Sequence, residues 1–296
     1  MADALMHLVS AAAVSGMLRA GLSPRDAFAA AGWGDPADDG APPGVPAPFA
    51  VAARLAHGTG AALAPVLDAC AIAAREEAEA ELAREVALAG PRLSARVLAW
   101  LPVVGLGLAV LVDGSTLRVF VTPIGLGLLG VGSALTLLGR WWMRRLVRNA
   151  RAVPDATVLM LHAVRAAMAA GADVASALAA VSLALSPESG FAAEAQRMRA
   201  VALALAHGDE WDTAWSDAAL PALETALRLP WERGALAAPL LVAVAQGESL
   251  ALRRAAQVAA SELAVRLTLP LAACLLPAFV VMGIVPLLVS LIGGLE

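Results

Sequence analysis

The sequence predicts an all-α membrane protein with two cytoplasmic helical-bundle repeats, a transmembrane hairpin between them and a final transmembrane helix. Three apolar runs, 98–112, 119–139 and 267–292, contain no charged residue. At a rise of about 1.5 Å per residue, each is long enough, or nearly so, to cross a bilayer as a helix. Only 16% of the 296 residues are charged, and no long alternating pattern typical of β-strands is present.

The first charged block, 1–96, predicts a short helical repeat. Gly21 is expected to end the first helix as its C-terminal cap. Ser23 followed by Pro24 is typical of the N-cap and first residue of the next helix. The five prolines and three aspartates of 34–48 predict a flexible linker in place of further helices.

A long helix over 62–88 is predicted to end the first block. Gly90 and Pro91 are expected to break this helix before the first span. The hairpin 97–139 then turns within 113–118, which is too short to form a domain.

Small residues are frequent in the second span. Gly130 and Ala134 are four residues apart, a spacing that permits close approach of two helices in a membrane. Close packing against another helix explains the glycines of this span better than a pore does.

The second charged block, 140–266, predicts a second helical repeat, and the C-terminal span occupies 267–296. The apolar run that forms this span is too short to cross a bilayer twice. Its three prolines predict a single span that is kinked or tilted.

Arginine placement predicts the orientation. Arginines precede the first span, follow the second and precede the third, whereas only Arg118 lies in the hairpin turn. The positive-inside rule therefore places both blocks and the N-terminus in the cytoplasm, and the C-terminus outside. Trp141 and Trp142 are expected at the membrane interface.

The two blocks align internally at an offset of 174 residues. At that offset Arg54-Leu55 matches Arg228-Leu229, Gly60-Ala61 matches Gly234-Ala235, and Pro65 matches Pro239. A second similarity relates Ala20-Gly21 to Ala170-Gly171. Each copy is predicted to be a small antiparallel bundle whose last helix leads into the membrane.

These repeated elements resemble the type II secretion system F family of platform proteins. The resemblance covers nearly the whole chain. The stretch 90–96 is similar to the tight-adherence B branch of that family, and the ending 269–279 is similar to its C branch. The segments that carry the helix–Gly–helix and long-helix motifs are 18–24, 168–174, 60–67 and 234–241.

The resemblance implies a non-enzymatic protein of the plasma (inner) membrane. Such a protein assembles a type IV-like pilus of the tight-adherence kind or a type II secretion pseudopilus. Its implied partners are a cytoplasmic assembly ATPase, pilin or pseudopilin subunits, membrane lipid and further copies of itself.

The residues themselves predict no catalytic constellation, cofactor or metal site. Isolated acids lack partners in any recognisable arrangement, and the four histidines have no ligand spacing. A net charge of −4 provides no general field for nucleic acid. The histidines are expected to be exposed or hydrogen-bonded.

One polar cluster is a candidate contact surface for the ATPase. A simple solvated helix face explains the same residues. The cluster consists of Arg75, Glu76, Glu77, Glu81 and Glu85 in the first block and Arg253 and Arg254 in the second.

Two other functional classes remain open on the sequence. A small helical transporter would need charged or polar side chains facing a cavity within the membrane, and the spans offer only Ser and Thr. A membrane-bound signalling scaffold with helical sensor domains is the other. Capture of a secretion-type ATPase by the second block would distinguish the platform protein from both.

Overall fold

The computed structural model describes residues 2–37, 39–112, 123–149, 156–285 and 288. Throughout this part of the chain the regular structure is helical and no strand occurs, which confirms the all-α prediction. The hairpin turn 113–118, including Arg118, lies outside the described residues. The helices in chain order are α1 (Ala2–Arg19), α2 (Pro24–Ala30), α3 (Ala47–Thr59), α4 (Leu63–Val112), α5 (Pro123–Asn149), α6 (Thr157–Ala169), α7 (Val174–Leu185), α8 (Ala192–His207), α9 (Trp211–Trp215), α10 (Pro221–Arg233), α11 (Ala237–Pro270) and α12 (Leu276–Phe279).

The chain divides into two compact units. The first unit comprises residues 1–82 and 154–254, and the second comprises 83–153 and 255–296. The division falls within α4 and within α11, so each of these helices contributes residues to both units.

The first unit has a closed hydrophobic core built from both charged blocks. Helix α3 packs on α6 and α7, and α7 also packs on α8. Helix α6 is buried around its whole circumference, with every residue from Val158 to Val164 buried, as is typical of the central helix of a core. The largest fully buried side chains come from both blocks and include Phe28, Phe49, Leu55, Leu161, Leu178 and Leu223.

Local sequence signals set several helix ends, of which those at Gly21 and Ser23 were expected. Ser23 accepts a hydrogen bond from the Asp26 amide at 3.2 Å, and Asp173 accepts one from the Ser176 amide at 2.8 Å. Each side chain satisfies a backbone donor that a first helical turn leaves unpaired. Gly21 and Gly171 precede these caps with φ values of 93° and 101°, a conformation that glycine adopts without steric cost.

The described residues of the segment 34–48 contact the helices on either side, and the prediction that this segment is flexible stays a prediction. Arg25 pairs with Asp35 at 2.9 Å, and Arg54 pairs with Asp39 at 2.6 Å. Ala41 is buried in the core, and its carbonyl accepts a hydrogen bond from the Ala37 amide. These contacts connect the proline-rich stretch to α2 and α3.

Helix α4 continues through Gly90 and Pro91, so the predicted break between block and span was also wrong. A proline inside a helix removes one backbone hydrogen bond and adds a local clash. The helix nevertheless continues to Val112.

The second unit differs from the first because few of its described apolar side chains are buried. Leu111 on α4 is 85% exposed and Val265 on α11 is 70% exposed. Its buried apolar side chains, among the residues whose side chains are described, are Leu263, Cys274, Leu275 and Ala278. Apolar helix surfaces of this extent are unusual in water.

One helical segment in the described part of the chain, Ala237–Met282, is long and apolar enough to cross a membrane by length and composition. Within it, π-helical turns at Leu271–Leu275 and Val280–Ile284 follow Pro270 and Pro277. Proline leaves a carbonyl without its usual partner, and a wider turn is one way to accommodate this. The expected irregularity of the last apolar run is therefore present.

Helix α5 packs on this irregular segment through two glycines. A Cβ at Gly132 would lie 2.1 Å from Met282 Cγ, and one at Gly139 would lie 2.7 Å from Leu275 Cδ1. Gly130, by contrast, has open space beside it and Ala134 is exposed. Close helix packing was thus expected correctly, but at the wrong pair of small residues.

Candidate partner-contact site

The polar cluster on α4 begins with an ion pair along its own helix. Arg75 Nε donates to Glu79 Oε1 at 3.1 Å, one turn further along α4. A pair at this spacing adds a few tenths of a kcal/mol to a helix. Arg75 is 75% exposed, so its guanidinium lies at the surface of the first unit.

Glu76 faces the interior of the first unit. Its carboxylate accepts a hydrogen bond from the Ser249 hydroxyl on α11, and Glu76 Oε2 lies 3.7 Å from His162 Nε2 on α6. The Glu76 side chain is only 18% exposed. This predicted contact residue therefore joins three helices of its own unit.

Arg253 lies on α11 and makes a second contact between α11 and α4. Its Nη2 donates to Glu79 Oε2 at 2.6 Å, across 174 positions of sequence. The contacts of Ser249 with Glu76 and of Arg253 with Glu79 advance along both helices in the same direction. Helices α4 and α11 consequently run parallel where they meet in the first unit.

The other predicted contact residues have exposed positions. Glu77, Glu81, Glu85 and Arg254 all lie at the surface. Glu85 belongs to the second unit, and the other three belong to the first. The cluster thus has two parts. Glu76 and Arg253 make contacts between α4 and α11, whereas the surface part includes Arg75, Glu77 and Arg254.

His162 is the residue that sequence reasoning missed. It is buried, and neither ring nitrogen makes a hydrogen bond with a described residue. The expectation of an exposed or hydrogen-bonded histidine was therefore wrong here. The available signal was a polar pair, His162 and Arg165, within the otherwise apolar helix α6.

Burial controls the ionisation of two side chains inside the first unit, His162 and Cys70. Removal from water lowers the pKa of His162, and nearby Arg165 lowers it further, against the opposing effect of Glu76. Burial likewise raises the pKa of the Cys70 thiol to about 12, despite the attraction of Arg165 for the thiolate. A neutral imidazole and a neutral thiol are the stable forms near pH 7.

The arrangement joins helices to one another. The Ser249 hydroxyl on α11 donates to the Glu76 carboxylate on α4 and contacts the Ala245 carbonyl of its own helix. Among the described residues no group of three or more His, Cys, Asp or Glu side chains could hold a metal ion.

Comparisons of the chain with protein-family models, with curated proteins and with solved structures gave no match.

Proposed function

We propose that this chain is a plasma-membrane platform protein that assembles a type IV-like pilus or a type II secretion pseudopilus. The observation that carries the proposal is the contrast between its two units. The first unit closes a core of Phe, Leu, Val and Ala side chains, whereas few of the described apolar side chains of the second unit are buried. Water favours the first arrangement and lipid the second.

Equivalent helix bounds support the proposed repeat. Helices α3 and α10 each contain 13 residues and end at a left-handed glycine, Gly60 and Gly234. These helices, and the helices α4 and α11 that follow them, begin at positions related by the offset found in the sequence. Two copies of one supersecondary unit would produce this correspondence.

The contact between Glu79 and Arg253 supports a two-fold relation between the two proposed copies. These residues occupy equivalent positions of the two copies and pair at 2.6 Å. Two equivalent helices that meet side by side in parallel are related by an approximate two-fold axis along them. The two copies therefore behave as a fused dimer with a shared core.

The proposed mechanism couples an ATPase to pilin extraction. Three spans anchor the chain, with both blocks and the N-terminus in the cytoplasm and the C-terminus outside. The ATPase binds the cytoplasmic unit, and its motion passes along α4 and α11 towards the membrane, where pilin subunits are lifted into the fibre. The platform contributes binding and positioning, and hydrolysis belongs to the ATPase.

The decisive experiment is deletion of the gene in its host. Surface fibres, or secretion through the pseudopilus, should disappear while pilin remains at normal levels in the membrane. Complementation with the intact chain should restore fibres. Normal fibre assembly in the deletion strain would contradict the proposal.

The partner contact has a separate test. The full chain should capture a co-expressed assembly ATPase, and Arg254→Glu should weaken capture because it reverses an exposed charge of the cluster. Arg199→Glu is the matched control, since Arg199 is exposed on α8 and outside the cluster. Equal capture by both variants would exclude Arg254 from the contact.

A further inference from the structure

A dense basic and aromatic segment follows the apolar part of α5. Residues 140–151 contain five arginines, and the whole stretch 114–154 has no Asp or Glu. Arg140, Arg144 and Arg145 are all exposed. The guanidinium carbon of Arg145 lies 5.5 Å from the ring centroid of Trp141, which fixes the cation over an aromatic face.

Trp141 and Arg145 of this basic segment belong to the face of α5 that no other described helix covers. Successive residues are rotated by about 100° around a helix axis. Gly132 and Gly139 therefore share the face that packs on Cys274, Leu275 and Met282. Trp141 and Arg145 lie on roughly the opposite side, as do the exposed Leu137 and Ala134.

The order of side chains along this uncovered face matches the depth profile of a bilayer. Leu126 and Leu137 are 61% and 66% exposed, and Trp141, one turn beyond Leu137, is 53% exposed. The exposed Arg144 and Arg145 come next in the chain. Hydrocarbon, interface and head group would meet apolar, aromatic and cationic side chains in that order.

We propose that residues 140–145 of α5 form a binding site for the head groups of anionic phospholipids. The proposal rests on the membrane location proposed above and adds a specific lipid class to it. No Asp or Glu lies near these arginines in the sequence to neutralise their charge. Exposed apolar side chains adjoin them on the same helix face. A lipid satisfies both features together, whereas a soluble anion satisfies only the charge.

The test is a lipid titration of the full chain purified in a neutral detergent, followed by native mass spectrometry. Phosphatidylglycerol should bind in preference to phosphatidylcholine. The double variant Arg144→Gln/Arg145→Gln should lower phosphatidylglycerol affinity about 30-fold, because each arginine near an anionic surface contributes about 1 kcal/mol. Arg144→Lys/Arg145→Lys should retain most of the preference.

The matched control is Arg197→Gln/Arg199→Gln, which removes two exposed arginines from α8. Its lipid preference should equal that of the unaltered chain. Equal binding of the two lipids, an equal loss in the control, or displacement of phosphatidylglycerol by an equal concentration of inorganic phosphate would each overturn the proposal. A chain absent from the host membrane fraction would instead contradict the proposed function.

Discussion

Single residues in the first unit show how a charged group can be buried when its neighbours are arranged around it. Arg54 joins the segment 34–48 to the second block, because its guanidinium contacts Asp39 at 2.6 Å and Glu188 at 2.8 Å. Burial alone would lower the pKa of Arg54, but hydrogen bonds to both acids raise it above its usual value. The residue therefore fixes contacts between parts of the chain that are distant in sequence.

Arg54→Met should destabilise the protein by about 1–3 kcal/mol, because Glu188 then loses a partner in a partly buried position. Chemical unfolding of the full chain in detergent, followed by circular dichroism, measures this loss. Arg197→Met on α8 is the control, and its effect should be within about 0.5 kcal/mol of zero. An equal effect of both substitutions would show that Arg54 makes no special contribution.

His162 should make stability depend on pH. Because its pKa is lower in the folded protein than in the unfolded chain, the unfolded chain binds a proton more readily below about pH 6.5. The free energy of unfolding should therefore fall as the pH decreases from about 6.5 towards the folded pKa. Above about pH 6.5 this residue should not affect the free energy of unfolding.

The measurement for His162 is thermal unfolding of the full chain between pH 5 and pH 7.5. His162→Gln should reduce the slope of Tm against pH in the acidic part of this range. His207→Gln, which changes an exposed histidine on α8, is the control and should keep the slope of the unaltered chain. An unchanged slope in His162→Gln would assign the pH dependence to other groups.

At the scale of elements, the packing of α5 depends on the absence of side chains. Gly139 lies against Cys274, Leu275 and the Pro270 carbonyl, so the two helical segments approach with no room for a larger residue. The π-helical turns on the partner segment alter the direction of its side chains locally. Neither feature follows from hydrophobic periodicity.

Gly139→Val should disturb this packing and expose the neighbouring thiol of Cys274, which is buried in the native chain. In a Cys70→Ala background, maleimide labelling of the folded protein should be faster in Gly139→Val than in the parent. Gly130→Val is the matched control, because a Cβ at Gly130 meets open space. Unchanged labelling in Gly139→Val would show that the contact tolerates the added volume.

The whole molecule should be oriented by its arginines. Exposed cationic segments flank the apolar parts of α5 and α11, and retaining them in the cytoplasm is favourable. A C-terminal fusion to alkaline phosphatase should therefore be active in cells, whereas fusions within 34–48 or 208–210 should be inactive. Active fusions at both internal positions would reverse the orientation, and inactivity everywhere would argue against multiple spans.

Much of the fold could be predicted because its signals are local. The caps at Ser23 and Asp173, and the left-handed glycines at Gly60 and Gly234, define helix ends within a few residues. The candidate site was harder to predict. The pairing of Glu79 with Arg253 and the inward position of Glu76 both depend on contacts between helices that are distant in sequence.

By itself the sequence determined the helical class, the helix ends at Gly21 and Ser23 and the separation of charged blocks from apolar runs, because helix propensity, capping and hydropathy act over a few neighbouring residues. Only the tertiary structure decided that Arg54 joins the segment 34–48 to the second block, that α4 passes through Pro91, and that Gly132 and Gly139 form the packing face of α5. These outcomes depend on contacts between distant parts of the chain, whose energies no local pattern encodes.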